Sequence, residues 1–174
     1  LGLHRPGEAM VVLEDATRRD PASSELRATY IEALSEARGP AAVIADLERT
    51  GASDPLKSVR PLILARAWSA LGRRDSALAA YRAGVADAPA DAALRFIYAS
   101  VLLDAGQPAN ASRELAAAGR AGRLQVARQA LLAARIALAL GDSAAARTAI
   151  VSARAAAPAD TTIAQLARTI GAHP

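Results

Sequence analysis

The chain has 174 residues, of which 52% are apolar but only 3% aromatic, and a net charge of +4. The apolar residues are largely alanine and leucine, which favour helices, and no period-two runs of β-branched residues predict strands. The absence of cysteine excludes disulfides and thiolate chemistry, and it is compatible with the cytoplasm or the periplasm, so the compartment stays open.

The front of the chain, residues 1–21, predicts mainly one helix without a partner helix before it. This helix carries the apolar run Met10, Val11, Val12 and Leu13. An unpaired helix of this kind exposes the face that its partner would cover. We therefore expect either a longer native protein or self-association through this uncapped N-terminal end.

Four helix pairs are predicted next, over residues 24–57, 58–91, 92–126 and 127–160. A proline closes most pairs because it cannot continue a helix, and a glycine between the two helices can adopt the left-handed conformation that ends the first one. The predicted turn glycines are Gly72, Gly106 and Gly141, with Gly39 one residue late in the first pair. The predicted helix caps are Ser23 or Ser24, Asp75, Asp91 and Asp142.

A last helix is predicted within residues 161–174, from about Thr162 to Ile170. Its opening residues Thr162 to Gln165 fit a capping box, in which a hydroxyl and an amide side chain satisfy the first backbone N–H groups. A stack of helix pairs needs an end helix with a polar outer face, and this helix is predicted to be that cap.

A regular repeat runs through these elements. Four series of equivalent positions recur along the chain, and all four have the same spacing between successive members. In each series the distance between the last two members is one residue longer than the others. One series is Ala9, Val43, Ala77, Ala111 and Ala146, and another is Leu13, Leu47, Tyr81, Leu115 and Ile150. Small residues allow two helices to cross closely, and the bulky residue four positions later fills the gap to the next pair.

The chain resembles the tetratricopeptide repeat (TPR) family over nearly its whole length, because that family has the same repeat spacing of roughly 34 residues. The family's alanine followed four positions later by an aromatic residue appears as Ala77 and Tyr81, whereas its tryptophan-containing start is absent. The resemblance implies an all-α fold, a right-handed superhelical solenoid of stacked antiparallel helix pairs that makes residues 1–174 a single domain.

Catalysis is not expected, because the chain contains none of the common metal-binding, phosphate-binding or nucleophile motifs. Glu32 and Glu36 form an i,i+4 carboxylate pair, but a solvated or groove-lining helix face explains it better than acid–base chemistry. Trp68 follows Ala65 by one turn and is expected in the core rather than as a stacking platform. No catalytic residue, cofactor or metal site is predicted.

In the family, the first helices of the pairs line a concave groove that binds a peptide segment. By family register, the candidate groove residues are Glu32, Leu62, Arg66, Phe96, Ser100, Leu103, Arg128, Leu131 and Arg135. Family members that clamp a chaperone's terminal carboxylate use lysine and asparagine where this chain has Ala28 and Glu32, so that role is not expected.

Two features of the candidate groove indicate the chemistry of a partner. Leu62, Phe96 and Leu131 occupy equivalent positions and predict an apolar ladder, which often marks a binding site. The middle and far end of the groove are basic, and arginine suits bidentate capture of carboxylates. The expected partner is therefore a protein or peptide segment with apolar anchors and acidic residues.

The leading hypothesis is a non-catalytic scaffold or adaptor. The preference for arginine over lysine and the many Ala, Gly and Pro residues are typical of a GC-rich bacterial genome, and assemblies such as secretion or exopolysaccharide machinery commonly use this repeat. One alternative is a nucleic-acid-binding helical repeat, suggested by the pI near 10.3 but disfavoured because no single element concentrates the basic residues. Another is a self-assembling structural solenoid.

Overall fold

The computed structural model describes residues 6–122 and 125–171, and within these ranges it contains ten α-helices, one short 3₁₀ turn and no strand. The prediction of an all-α, TPR-like fold is confirmed. Contacts divide the chain into two compact units, Leu1–Asp87 and Ala88–Pro174. None of the helices within the described ranges is both long enough and apolar enough to cross a membrane. Residues 1–5 and 172–174, which belong to the elements predicted at the two ends of the chain, lie outside the described residues.

The first unit contains five helices and the 3₁₀ turn. Its elements are α1 (Pro6–Arg19), α2 (Ser24–Arg38), α3 (Pro40–Thr50), the 3₁₀ turn (Gly51–Ser53), α4 (Arg60–Ala70) and α5 (Arg74–Asp87). Each helix packs against the next one along the chain. Leu47, at 0% exposure, lies at the centre of a core to which α1, α2, α3 and α4 all contribute.

The second unit also contains five helices. They are α6 (Ala92–Asp104), α7 (Pro108–Ala121), α8 (Val126–Ala139), α9 (Ser143–Ala156) and α10 (Thr161–Gly171). The helix pairs α6–α7 and α8–α9 pack closely, α10 packs on α9, and the two first helices α6 and α8 touch each other. Alanine allows this close approach, and Ala111, Ala134 and Ala146 are each 0% exposed.

Short turns of equal length join the helices of three pairs, and each contains a glycine in the left-handed region. Gly72, Gly106 and Gly141 have φ values of +69°, +74° and +79°. A side chain at these positions would be strained because the backbone is in the left-handed region. It would not clash with its surroundings, since no neighbouring atom lies within 4 Å of an added Cβ. The prediction that these glycines end the first helices is confirmed.

The helix caps agree with the sequence at three positions. The side chains of Ser23, Asp91 and Asp142 accept hydrogen bonds from backbone N–H groups in the first turns of α2, α6 and α9. The prediction for Asp75 is wrong, because α5 begins at Arg74 and Asp75 lies inside its first turn.

The predicted capping box of the last helix is also wrong. The helix begins at Thr161, and Asp160 accepts hydrogen bonds from the N–H groups of Thr162 and Ile163 at 2.8 and 3.2 Å. A carboxylate is a strong cap, and a negative charge is favoured at a helix N-terminus, so Asp160 fixes the start two positions before the one that the capping box predicted.

Candidate functional site

The first unit contains an open groove of about 430 Å³ between α2 and α4, with the start of α3 along it. We call it the first-unit groove. It is lined by Ala28, Ile31, Glu32 and Ser35 of α2, by Pro40 and Val43 of α3, by Leu56, and by Val59, Ile63, Arg66, Ala67 and Ala70 at and within α4. Apolar side chains dominate this lining, and two predicted site residues, Glu32 and Arg66, lie on its opposite helices.

A short turn brings α3 to this groove. Helix α2 continues to Arg38 and α3 begins at Pro40, so Gly39 alone joins them, with φ +80° and ψ 176°. The corresponding turns of the other pairs are longer. Proline suits the first turn of a helix because its missing N–H is not needed there. The early start of α3 places Pro40 and Val43 in the lining.

A buried ion cluster fixes α2 relative to α3 and the segment after it. The Arg27 guanidinium donates to Asp54 Oδ2 at 2.9 Å from Nε and at 2.6 Å from a terminal nitrogen, and it also pairs with Asp46. Thr50 donates its hydroxyl proton to Asp54 at 2.8 Å. Arg27, Asp46 and Asp54 are all buried. These bonds hold α2 and the segment that leads into α4, the two sides that border the groove.

The charges in this cluster are mutually stabilised. Burial on its own raises the pKa of Asp54, but hydrogen bonds from Arg27, the Leu56 N–H and Thr50, together with the charge of Arg27, hold the pKa below its usual value. Burial lowers the pKa of Arg27, yet its bonds and charge interactions with Asp54 and Asp46 outweigh burial and raise it. Both groups therefore stay ionised at neutral pH.

A second cavity of about 400 Å³ lies over this cluster, bordered by the end of α1, the start of α2 and the end of α3. The acidic residues in its lining are Glu14, Asp20 and Asp54, and the basic residues are Arg18, Arg27 and Arg49. The lining therefore has no net charge. Arg27 is already committed to carboxylates and also lies 5.4 Å from the centre of the Tyr30 ring. We assign this region a structural role.

Leu62 was predicted to face the groove, but the neighbouring residue Ile63 lines it instead. Leu62 is half-buried and does not appear among the described residues that line the first-unit groove, whereas Ile63 does. On α4, positions 59, 63, 66 and 70 share one face because they recur every three or four residues. Family register alone therefore missed Ile63, together with Ile31, Val43 and Leu56.

The remaining predicted residues lie in the second unit. Phe96, Ser100, Leu103 and Leu131 are half-buried, and Arg128 and Arg135 are exposed. Leu131 packs against the core formed by α8, α9 and α10. Arg135 donates to Asp104 at 3.0 Å, and both side chains are about half exposed or more. Arg135, one of the arginines predicted to bind carboxylates of a partner, is thus already paired with the carboxylate of Asp104.

The excess positive charge of the chain belongs to the second unit. Residues 1–87 contain twelve basic and twelve acidic side chains, whereas residues 88–174 contain nine arginines and five acidic side chains. Three of these acidic residues cap helices, namely Asp91, Asp142 and Asp160. The other two pair with arginines, Glu114 with Arg95 at 2.7 Å and Asp104 with Arg135.

Trp68 packs against the core of the first unit, and the Arg73 guanidinium lies 5.6 Å from the centre of its ring. This placement agrees with a core residue at the edge of the unit. Within residues 6–122 and 125–171, no group of three or more His, Asp or Glu side chains is arranged to hold a metal ion.

The repeated helix pairs, their turn glycines and the apolar groove define a helical-repeat protein of the protein-interaction scaffold class. The family model described as tetratricopeptide repeat matches residues 4–123, which is more than half of the chain. The chain belongs to the tetratricopeptide repeat family. No curated protein matches it.

Solved structures that resemble this chain include two that cover nearly all of it. One is the crystal structure of PilW, described as a widely conserved type IV pilus biogenesis factor, with a TM-score of 0.74 and 21% identity over 95% of this chain and 75% of PilW. The other is TTC0263, a thermophilic TPR protein of Thermus thermophilus, with a TM-score of 0.66 and 17% identity over 97% of this chain and 91% of that one. At these identities the likeness establishes the fold.

Proposed function

We propose that this chain is a non-catalytic adaptor that binds a segment of another protein in the first-unit groove. One observation carries the proposal: an open, mostly apolar groove of about 430 Å³ separates α2 from α4. In the second unit the corresponding helices α6 and α8 touch. A volume of this size is within the range of sites that take a few side chains of a ligand.

The lining indicates the chemistry of the segment. Ile31, Val43, Leu56 and Ile63 form an apolar surface that suits one or two aliphatic or aromatic anchor residues. Arg66 is exposed on α4 and can bind a carboxylate of the segment in a bidentate manner. Glu32, exposed on α2, favours a basic or amide group on the opposite side of the anchor.

The second unit is proposed to supply a further binding surface with the predicted residues Phe96, Ser100, Leu103, Arg128, Leu131 and Arg135. Its net positive charge favours acidic residues in the partner, because complementary charge speeds association and selects orientation. Arg128 supplies an exposed guanidinium on α8. Arg135 takes part only when a partner carboxylate replaces that of Asp104.

The setting we propose is a larger bacterial assembly, of the kind used for secretion, exopolysaccharide export or surface fibres. PilW is described as a pilus biogenesis factor, and it supports this choice because it shares the fold along 95% of this chain. An adaptor in such an assembly needs no chemistry of its own and acts by holding one component next to another.

A displayed peptide library tests the proposal with no partner chosen in advance. Peptides selected on the chain should share an apolar residue within a few positions of Asp or Glu. Val59→Asp and Arg66→Glu should weaken their binding at least about tenfold, because one introduces a charge beside the anchor and the other repels its carboxylate. Both side chains are exposed, so the substitutions leave the core intact.

Matched substitutions outside the groove serve as controls. Val151→Asp and Arg154→Glu change an exposed valine and an exposed arginine of α9, and both should weaken peptide binding far less than the groove substitutions do, because neither residue lines the groove. Arg66→Glu should in addition select peptides with Lys or Arg where the original peptides have Asp or Glu. Equal binding by groove and control variants would refute the groove as the site.

The concentration of positive charge in the second unit favours one other candidate, a nucleic-acid-binding repeat. Phosphate contacts would make affinity for a labelled duplex or single strand fall steeply with salt. Fluorescence anisotropy at low salt tests this directly. Absence of binding there, with peptide binding intact, would exclude the nucleic-acid candidate.

A further inference from the structure

The second unit repeats the positions of the first-unit groove but fills them with side chains of different volume. Ile31 and Val43, which line the groove, are 6% and 2% exposed. The residues two repeats later are Ala99 and Ala111, both at 0% exposure. Branched side chains hold neighbouring helices further apart than alanine does. These two differences account for the contact between α6 and α8 and for the groove between α2 and α4.

At two other groove positions the difference in volume runs the opposite way. Ala28 and Ser35 of α2 line the first-unit groove, and the residues two repeats later, on α6, are Phe96 and Leu103. Both of these α6 side chains are half-buried. A side chain fills space next to its own Cβ, so the second unit supplies with its own atoms a volume that stays open beside Ala28 and Ser35. The first-unit groove therefore has room for a ring that the chain does not provide.

The charges of the two units differ in a similar way. Arg66 and Arg135 occupy equivalent positions, and so do Glu36 and Asp104. In the second unit Arg135 donates to Asp104 at 3.0 Å. Among the described residues no ion pair joins Arg66 to a carboxylate, and both Arg66 and Glu36 are exposed. The wider separation of α2 and α4 thus leaves Arg66 without the carboxylate that its equivalent has.

We propose that the segment bound in the first-unit groove carries an aromatic residue and a nearby Asp or Glu, with the ring against Ala28 and Ser35 and the carboxylate on Arg66. This inference rests on the proposed function and narrows it. The partner then supplies the chemistry that Phe96 and Asp104 supply in the second unit. A ring also buries more apolar surface than an aliphatic side chain, at little cost in side-chain entropy.

The two contacts lie on opposite sides of the groove, and this fixes the spacing of the two residues in the partner. Ala28 and Ser35 belong to α2, whereas Arg66 belongs to α4. An extended segment meets this condition with the aromatic and acidic residues adjacent, because successive side chains point to opposite faces. A helical segment meets it with the two residues about two positions apart. The spacing found in bound peptides therefore also reports the conformation of the segment.

Grafting a side chain of the second unit into the first tests the inference. Ala28→Phe places a ring of the chain's own in the groove, so it should weaken binding of library peptides selected on the wild-type chain at least about tenfold. Ser35→Leu changes an exposed position and should weaken binding in the same direction, which covers the case in which Ala28→Phe does not fold. Ala83→Phe adds the same ring at an exposed position of α5 and should weaken binding far less, because Ala83 does not line the groove.

A double-mutant cycle tests the carboxylate. Arg66→Gln should weaken binding of a selected peptide about fivefold or more, and replacing the acidic residue of the peptide by its amide should do the same on the wild-type chain. The two changes together should weaken binding little more than either change alone. Losses that multiply would show that the carboxylate and Arg66 act independently, and they would overturn the proposed contact.

The outcomes separate this inference from the proposed function. Peptides that Val59→Asp weakens, but that carry only aliphatic anchors and bind Ala28→Phe as tightly as the wild type, would overturn the inference and leave the groove as a binding site. A library that yields no peptide weakened by Val59→Asp would overturn both. Self-association of the wild-type chain that Ala28→Phe abolishes would assign the groove to a second copy and overturn the inference as well.

Discussion

Arg27 and Asp54 are 27 residues apart in the chain, and two guanidinium nitrogens of Arg27 donate to one oxygen of Asp54, at 2.9 and 2.6 Å. Arg27 lies on α2, and Asp54 follows the 3₁₀ turn after α3. The pair therefore ties one border of the first-unit groove to the segment that leads into the other. Its loss should affect stability more than the loss of any exposed ion pair.

Replacing Asp54 by alanine should destabilise the chain by roughly 3–5 kcal/mol, because it leaves a buried guanidinium without its main partner. The Leu56 N–H, which donates to Asp54 at 2.9 Å, would lose its acceptor as well. Urea unfolding followed by circular dichroism measures the change. Asp15→Ala is the matched control, since its pair with Arg19 is largely exposed and should contribute under about 1 kcal/mol.

The same pair predicts how stability depends on pH. The folded-state pKa of Asp54 is lowered, so its contribution to stability is complete above the unfolded-state value of about 3.9 and is lost as pH falls through the lower folded-state value. Urea unfolding of the wild type and of Asp54→Asn should therefore show a constant difference from pH 7 to about pH 5. That difference should shrink below pH 4, and a difference that grew on acidification would contradict the assignment.

The repeat predicted much of the fold because each position in it has a local physical reason. A proline or a left-handed glycine ends a helix whatever surrounds it, so Gly72, Gly106 and Gly141 could be located from spacing alone. The fully buried Ala111, Ala134 and Ala146 likewise follow from the need for small residues at helix crossings.

The groove was harder to predict because it depends on contacts between distant segments. The late position of Gly39 indicated an unusual turn, but its effect on α3 required the structure. The lining of the groove contains Ile63 of α4 rather than its neighbour Leu62, and family register alone does not distinguish these two positions. The partners of Arg27 lie 19 and 27 residues away, and no repeat position marks them.

The start of α10 offers a direct comparison between the predicted and the observed cap. Asp160→Ala should destabilise the second unit by about 1 kcal/mol, because two backbone N–H groups lose their acceptor. Thr162→Ala should change stability by less than about 0.5 kcal/mol, since its side chain is exposed and is not the cap. Thermal unfolding of both variants decides the matter. A larger loss of stability for Thr162→Ala than for Asp160→Ala would contradict this assignment and support the capping box instead.

The ion pair of Asp104 and Arg135 predicts a substitution that strengthens binding. Both side chains are well exposed, so Asp104→Asn should change the free energy of unfolding by less than about 1 kcal/mol. It also removes the carboxylate that competes for Arg135. Affinity for the acidic peptides selected on the chain should therefore rise, by about threefold to tenfold at low salt, and the gain should diminish as salt screens the charges.

Asp75→Asn separates this effect from a simple change in net charge, because it removes an exposed carboxylate in the first turn of α5 and leaves Arg135 paired. Isothermal titration of both variants with the same peptide gives the comparison. If the two substitutions raise affinity equally, Arg135 acts only through the overall charge. If neither does, Arg135 lies outside the binding surface and the peptide is held by the first unit alone.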